Sequence, residues 1–154
     1  MMNHNLSLAS GRPRFATSEL FSMAGSQGDL AAWKNLIAQE GPEAVRNVSG
    51  EFAVGFIDAN RRGFLAVDRF AIRSLCYRVV GGELYFAERA DELADASTEI
   101  DPQAIFDYFY FHVIPSPRTI FKGIYRLPPG HYAVFVNGAL TVLPYWVPEF
   151  LELA

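Results

Sequence analysis

The residues able to do chemistry in this chain are few and dispersed. His4, His112 and His131 stand far apart. None has a second candidate ligand two, three or four positions away, the spacing that would set two donors on one metal ion, so no metal site is expected. The one cysteine, Cys76, lies in an apolar run, where a thiol serves as a small core residue rather than a nucleophile. A lone cysteine also excludes an internal disulfide framework and a multi-cysteine zinc site. Asp68-Arg69 closes another apolar run and precedes a non-helical link. It reads either as a partly exposed ion pair ending a strand or as part of a site. There is no glycine-rich phosphate loop, no G-x-S-x-G elbow and no dinucleotide fingerprint, so no cofactor is expected.

The bulk properties set the frame for those residues. A chain of 154 residues, half of them apolar, with 13 Phe, 7 Tyr and 2 Trp, has volume enough for one well-filled domain and is not disordered. The net charge of −4 and arginines scattered through strand-like segments give no basic stripe, so a nucleic-acid partner is not expected. The most apolar stretch, 104–115, is broken by Asp107 and His112 and falls short of the ~20 residues of a membrane helix. Residues 1–14 lack the pattern of a secretory signal. With one cysteine, a reducing cytoplasmic location is the expectation.

Elements follow from periodicity. Residues 1–28 are polar, show no clear period and read as a poorly ordered N-terminal segment. From Asp29, the spacing of Leu30, Trp33, Leu36 and Ile37 predicts a helix capped by Asp29 and closed by Gly41-Pro42, with a further short turn at 42–48. Residues 51–58 (EFAVGFID) are apolar on both alternating faces, so this strand must be covered on both sides. Residues 64–67, 75–80 and 83–87 read as further strands, the last two joined through Gly81-Gly82. Pro102 to about Phe111 reads as a helix with Ile105, Phe106, Phe109 and Tyr110 on a stripe expected to face the core. Residues 113–130, with four prolines, form a shaped connection. Asn137-Gly138 between 131–136 and 139–143 predicts a two-residue type I′ hairpin.

Read in order, Gly50-Glu51-Phe52-Ala53-Val54, Asp58, the run from Val67 to Tyr77, Leu84-Tyr85-Phe86-Ala87, the run from Thr119 to Ile124, and Leu127-Pro128-Pro129-Gly130-His131-Tyr132 form a specific succession. It resembles the latter half of the class II glutamine amidotransferase domain of asparagine synthetases, together with the linker towards their synthetase domain. The resemblance runs over 29–146, leaving 147–154 as a tail. It implies an α+β fold of Ntn-hydrolase type: a layered α/β/β/α sandwich of antiparallel sheets, which the absence of the family's first strands would leave incomplete. It also implies a possible partner, an ATP-binding synthetase domain or protein.

The family's chemistry, as the resemblance implies it, releases ammonia from glutamine with an N-terminal cysteine whose own α-amino group is the base. Here the chain begins Met1-Met2-Asn3, and Cys76 occupies the place of the first tyrosine of the family's Leu-Tyr-Tyr. The family's Arg-His-Arg-Gly-Pro-Asp and Asn-Gly-Glu stretches, which bind glutamine and form the oxyanion hole, are not found upstream of Asp29. Val67 stands for the family's arginine, Ala71 for its glycine, Ser74 for its proline and Glu88-Arg89 for its Ser-Glu. The family's pyrophosphate loop, Ser-Gly-Gly-x-Asp-Ser, would lie beyond Ala154. No catalytic residue is therefore assigned. One substrate-binding residue is: Asp29 falls where the family's Ser-Asp-x-Glu places the acceptor of glutamine's α-amino group, and its alternative role is to cap its helix. The chain is expected to be a truncated or degenerate glutaminase domain, inactive alone. The alternative is a non-catalytic scaffold that docks on a synthetase domain through its proline-rich segment and Tyr108, Tyr110 and Trp146.

Overall fold

A computed structural model describes residues 5–151. Its elements are β1 (Ser7–Arg14), α1 (Ser18–Gln27), α2 (Asp29–Glu40), a 3-10 turn (Pro42–Asn47), β2 (Ser49–Ile57), β3 (Gly63–Val67), β4 (Cys76–Val80), β5 (Glu83–Ala87), a second 3-10 turn (Ala90–Leu93), α3 (Pro102–Phe111), β6 (Tyr125–Arg126), β7 (His131–Val136) and β8 (Ala139–Pro144). They build two antiparallel sheets, one ordered β1-β2-β3-β7-β8 and a smaller one ordered β5-β4-β6.

The alternation along β2 explains the layering. Phe52, Val54 and Phe56 point to one side and pack with Phe64, Tyr132 and the helical residues Leu20, Trp33 and Leu36. Ala53 and its neighbours Leu65, Val67, Ala133 and Phe135 point to the other side and meet Tyr77, Leu84 and Phe86 of the smaller sheet. The sheets thus stack face to face, and Gly55 lets them close. A Cβ there would lie 2.8 Å from two ring carbons of Phe86, so only hydrogen leaves room for that ring. Beyond the smaller sheet, Cys76, Ala87, Leu93 and Ile124 form a third cluster under the second 3-10 turn. The strands and turns anticipated from residue 49 onward are found, and Asn137 and Gly138 both take the positive φ of a type I′ turn, 52° and 80°.

Three readings need correction. Residues 7–27 are not patternless. They form the edge strand β1, registered on β2 from Ser7 opposite Phe56 to Arg14 opposite Ser49, and the helix α1, capped by the Thr17 hydroxyl accepting from Leu20 N–H. An edge strand shares only one hydrogen-bonding side, and β1 alternates half-buried with exposed positions; its residues Ser, Gly, Arg and Pro therefore hide the strand signal. Residues 1–4, including His4, and 152–154 lie outside the described residues.

Second, the apolar stripe of α3 faces outward. Phe106, Phe109 and Tyr110 are 62, 76 and 71% exposed, while Ala104 and Asp107 are the buried positions. The outer face of the smaller sheet is covered by the second 3-10 turn and by Phe121 and Ile124, and α3 turns only its Ala104 and Asp107 side inward. Polar straps hold it instead. Asp101 caps the helix by accepting from Gln103 N–H at 2.9 Å, and Arg118 bridges Asp101 (3.1 Å) and Asp107 (2.9 Å).

Third, Asp68 is not paired with Arg69. Its carboxylate is 1% exposed and accepts four backbone N–H groups: Phe70 and Ile72 on Oδ1 at 3.0 and 3.1 Å, and Phe52 and Arg73 on Oδ2 at 3.1 Å each. Its main chain continues the knot, since Asp68 N–H donates to Phe52 O and Asp68 O accepts from Ala71 and Gly130. One residue thereby joins β2, the end of β3, the loop 69–73 and the start of β7. The Tyr145 hydroxyl donates to Val67 O at 2.7 Å beside it. Burial, with the Asp68 charge nearby, raises that phenol above its usual range, so it stays a donor.

Two substitutions test this loop. Asp68→Asn leaves part of the N–H set facing an amide NH2 and is expected to cost about 3 kcal/mol, read as a lower urea midpoint at unchanged slope. Ala71 sits at φ 49°, a left-handed conformation that penalises Cβ, so Ala71→Gly is expected to raise stability by about 1 kcal/mol.

Candidate functional site

Asp29, the one residue assigned to substrate binding, is the first residue of α2. It is not the cap. Gly28 takes that place, with φ 93°, and closes α1 and opens α2 on the same residue. The chain reverses on this glycine, so the Asp29 carboxylate lies in the first turn. It is half-buried and makes no ion pair or side-chain hydrogen bond among the described residues. There it favours the helix through the positive end of the dipole, and its acceptor capacity is unused among the described residues.

The other candidates are not brought to it. Cys76 is 2% exposed on β4, opposite Ala87; its thiol makes a long contact, 4.0 Å, to Glu88 O and a hydrogen bond with the Arg126 side chain. Burial pushes the thiol above its ordinary range, and Arg126 nearby offsets this only in part. A protonated, enclosed thiol is a poor nucleophile. His112 ends α3 in the left-handed region with its side chain exposed, and the His131 ring nitrogen Nδ1 lies 2.8 Å from Pro129 O. No group of three His, Cys, Asp or Glu side chains able to hold a metal ion exists among the described residues, and no helix is long and apolar enough to cross a membrane.

Sequence reasoning missed one polar cluster. Asp101, Asp107 and Arg118 line a cleft of about 470 Å³ with Ser116, Pro117 and Lys122. The Gln103 amide donates to Asp107 at 2.8 Å, and with Arg118 it holds that carboxyl below the usual range. Asp101 was legible as a helix cap. Asp107 and Arg118 meet only because the connection after α3 folds back, which no local spacing signals. Both acids are engaged with Arg118, so the cluster fastens α3 and leaves no free base. A larger, mostly apolar cleft of about 640 Å³ opens between α2 and the β2–β3 end of the main sheet, lined by Ile37, Phe56, Phe64 and Val134, with Lys34 at its lip.

The places marked by family departures are structural in this chain. Val67 is fully buried between the sheets, where an arginine would need a charged partner. The Ser74 hydroxyl donates to Glu88 O at 3.0 Å. Of the proposed contacts, Tyr108 and Tyr110 are exposed, whereas Trp146 is half-buried, set edge-on to Phe70 at 5.2 Å with Arg69 over its ring.

Comparison with known proteins fits this scaffold. The model of the glutamine amidotransferase domain family matches residues 19–146. Amidase chyE of Penicillium rubens is 34% identical over 110 residues, 69% of this chain and 16% of that protein. Asparagine synthetase [glutamine-hydrolyzing] 1 of Bacillus subtilis is 29% identical over 114 residues (70% and 18%), and a putative asparagine synthetase of Mycobacterium bovis is 31% identical over 119 (71% and 18%). The chain thus spans less than a fifth of the curated relatives it matches. Among solved structures, the glutamine phosphoribosylpyrophosphate amidotransferase of Bacillus subtilis superposes over 96% of this chain and 31% of its own, with a TM-score of 0.53 at 12% identity. An allosteric regulatory enzyme of purine biosynthesis does so over 92% and 29%, at 0.54 and 10%. These two establish the fold, that of Ntn-type amidotransferases. The chain belongs to the glutamine amidotransferase domain family, of the kind found in asparagine synthetases.

Proposed function

We propose that this chain is the scaffold of an asparagine synthetase-type amidotransferase domain without glutaminase chemistry of its own. The observation that carries this reading is the state of its single cysteine. A Ntn-type glutaminase needs a thiol activated by an amine beside it. Cys76 is internal, enclosed under the second 3-10 turn and held protonated by burial. Three described acids are engaged elsewhere: Asp68 on four N–H groups, Asp101 and Asp107 on Arg118.

Asp29 is the retained fragment of the glutamine site. Its carboxylate at the start of α2, without a partner among the described residues, suits an α-ammonium group, but one partly exposed ion pair contributes only ~0–1 kcal/mol. It marks where glutamine would sit without being able to hold it.

The scaffold role is supported by a second feature. Phe70, set against Trp146, and Val147, next to Trp146 in the chain, are 69 and 63% exposed. Such a surface fits contact with an amide-forming, ATP-dependent body, carried in the same or a separate chain.

The purified chain, incubated with glutamine, is expected to release no glutamate above a heat-killed control, and glutamine at millimolar concentration is expected to leave its melting temperature unchanged. Glutamate release that disappears in Cys76→Ala would overturn the proposal.

A further inference from the structure

We propose that the cleft between α2 and the β2–β3 end of the main sheet is a binding site for a small amphipathic monocarboxylate, an apolar body with one anionic head. It is lined by the second half of α2, whereas Asp29 opens that helix and Cys76 lies on the smaller sheet. The site therefore stands or falls separately from the glutamine reading.

Three strands build its floor. Phe56 of β2 lies opposite Phe64 of β3, and Phe64 lies opposite Val134 of β7, so the three side chains form one row on the sheet face turned to the helices. The Phe56 and Phe64 rings are 5.5 Å apart. Lys34, Ile37 and Ala38 form the wall above that row, three and four positions apart on one side of α2. The helix stops at Gly41, which takes φ 83°, and Pro42 begins the 3-10 turn. A space of about 640 Å³ remains between helix and strands.

Charge selects the head group. Lys34, Asp58 and Arg62 are the charged residues on the lining. Asp58 is engaged: its Oδ1 accepts the N–H groups of Asn60 and Arg62 at 2.8 and 2.9 Å, and its Oδ2 accepts Arg62 Nε at 3.1 Å. Arg62 gives Asp58 only that nitrogen, so its two terminal amino groups have no partner among the described residues. Lys34 has no acid partner among them either, and its ammonium lies 5.9 Å from the centroid of the Phe56 ring, over the floor of the cleft. The lining thus holds one positive charge in excess, within a chain whose net charge is −4. A single excess charge matches a monoanion and repels a cation.

Shape selects a small molecule. The cleft is walled by α2 and Pro42 on one side and by the turn at Asp58 and Ala59 on the other. Its volume falls within the ~300–1,000 Å³ of small-ligand sites, which pair an apolar lining with a few placed polar groups. A stable protein partner needs about 800 Å² of surface on each side, more than this enclosed space offers.

Heteronuclear NMR titration with octanoate, octanol and octylammonium, which share one apolar body and differ in the head, tests the site. Octanoate is expected to shift the signals of Ile37, Phe56 and Val134 saturably, with a Kd on the order of 1 mM or below. It should bind about threefold to fivefold tighter than octanol, the range of one partly exposed ion pair, with octylammonium weakest. Lys34 and Ala38 are exposed helical positions, so variants there keep the fold. Lys34→Glu should place octylammonium ahead of octanoate, and Ala38→Trp, which fills the cleft, should abolish binding at an unchanged circular-dichroism spectrum. No saturable shift with octanoate up to about 10 mM overturns the proposal and leaves the cleft to a macromolecular partner. Binding that Ala38→Trp leaves intact, shifts confined to other residues, or an order of head groups that Lys34→Glu does not change overturns it as well.

Discussion

A buried carboxylate without a cation beside it holds this fold together. Asp68 is removed from water and compensated by four backbone N–H groups drawn from β2 and the loop 69–73. Each charge-assisted bond recovers part of a desolvation cost of several kcal/mol. Because the four donors are main-chain groups, the loop has one shape in which all are satisfied, and that shape directs Arg69, Phe70 and Ile72 outward while Leu75 and Tyr77 enter the core between the sheets. The strand pairing on either side, the entry to β7 through Gly130 and the seat of Tyr145 all depend on it. The strained φ of Ala71, at the place where the resemblance has glycine, is a cost the same knot absorbs.

Much of this architecture was legible in the residues. The doubly apolar run around Phe52 to Ile57 demanded a strand covered on both faces, and β2 is covered by helices on one face and by the smaller sheet on the other. Turns marked by Gly81-Gly82 and Asn137-Gly138 joined the strands they were expected to join. The failures share a physical cause: the deciding interaction was non-local. The strand character of β1 comes from its partner β2, not from its own composition. The direction of α3, whose stripe was expected to face the core, is set by Arg118, from beyond the helix, and by the cover already on the outer face of the smaller sheet. Asp68 seemed to belong with its charged neighbour, whereas its partners are backbone groups that no sequence pattern displays.

The candidate site shows the same division. The sequence located Asp29 and identified Cys76 as a core residue; the structure places the first in the opening turn of α2, unpaired among the described residues, and the second on β4 within the third cluster. The chain shares with amidotransferases its layered frame, and a succession of segments similar to that of asparagine synthetases runs through it. The stability of this frame resides in the inter-sheet core and the Asp68 knot, features separate from any site chemistry placed upon it.

The central claim is that no side chain of this chain attacks glutamine. Intact-mass spectrometry after incubation with a glutamine analogue carrying an electrophilic γ-carbon reads this directly, since any competent nucleophile would keep the acyl or alkyl group. The account predicts an unmodified chain; a stoichiometric adduct mapped to Cys76, or to any other residue, would contradict it.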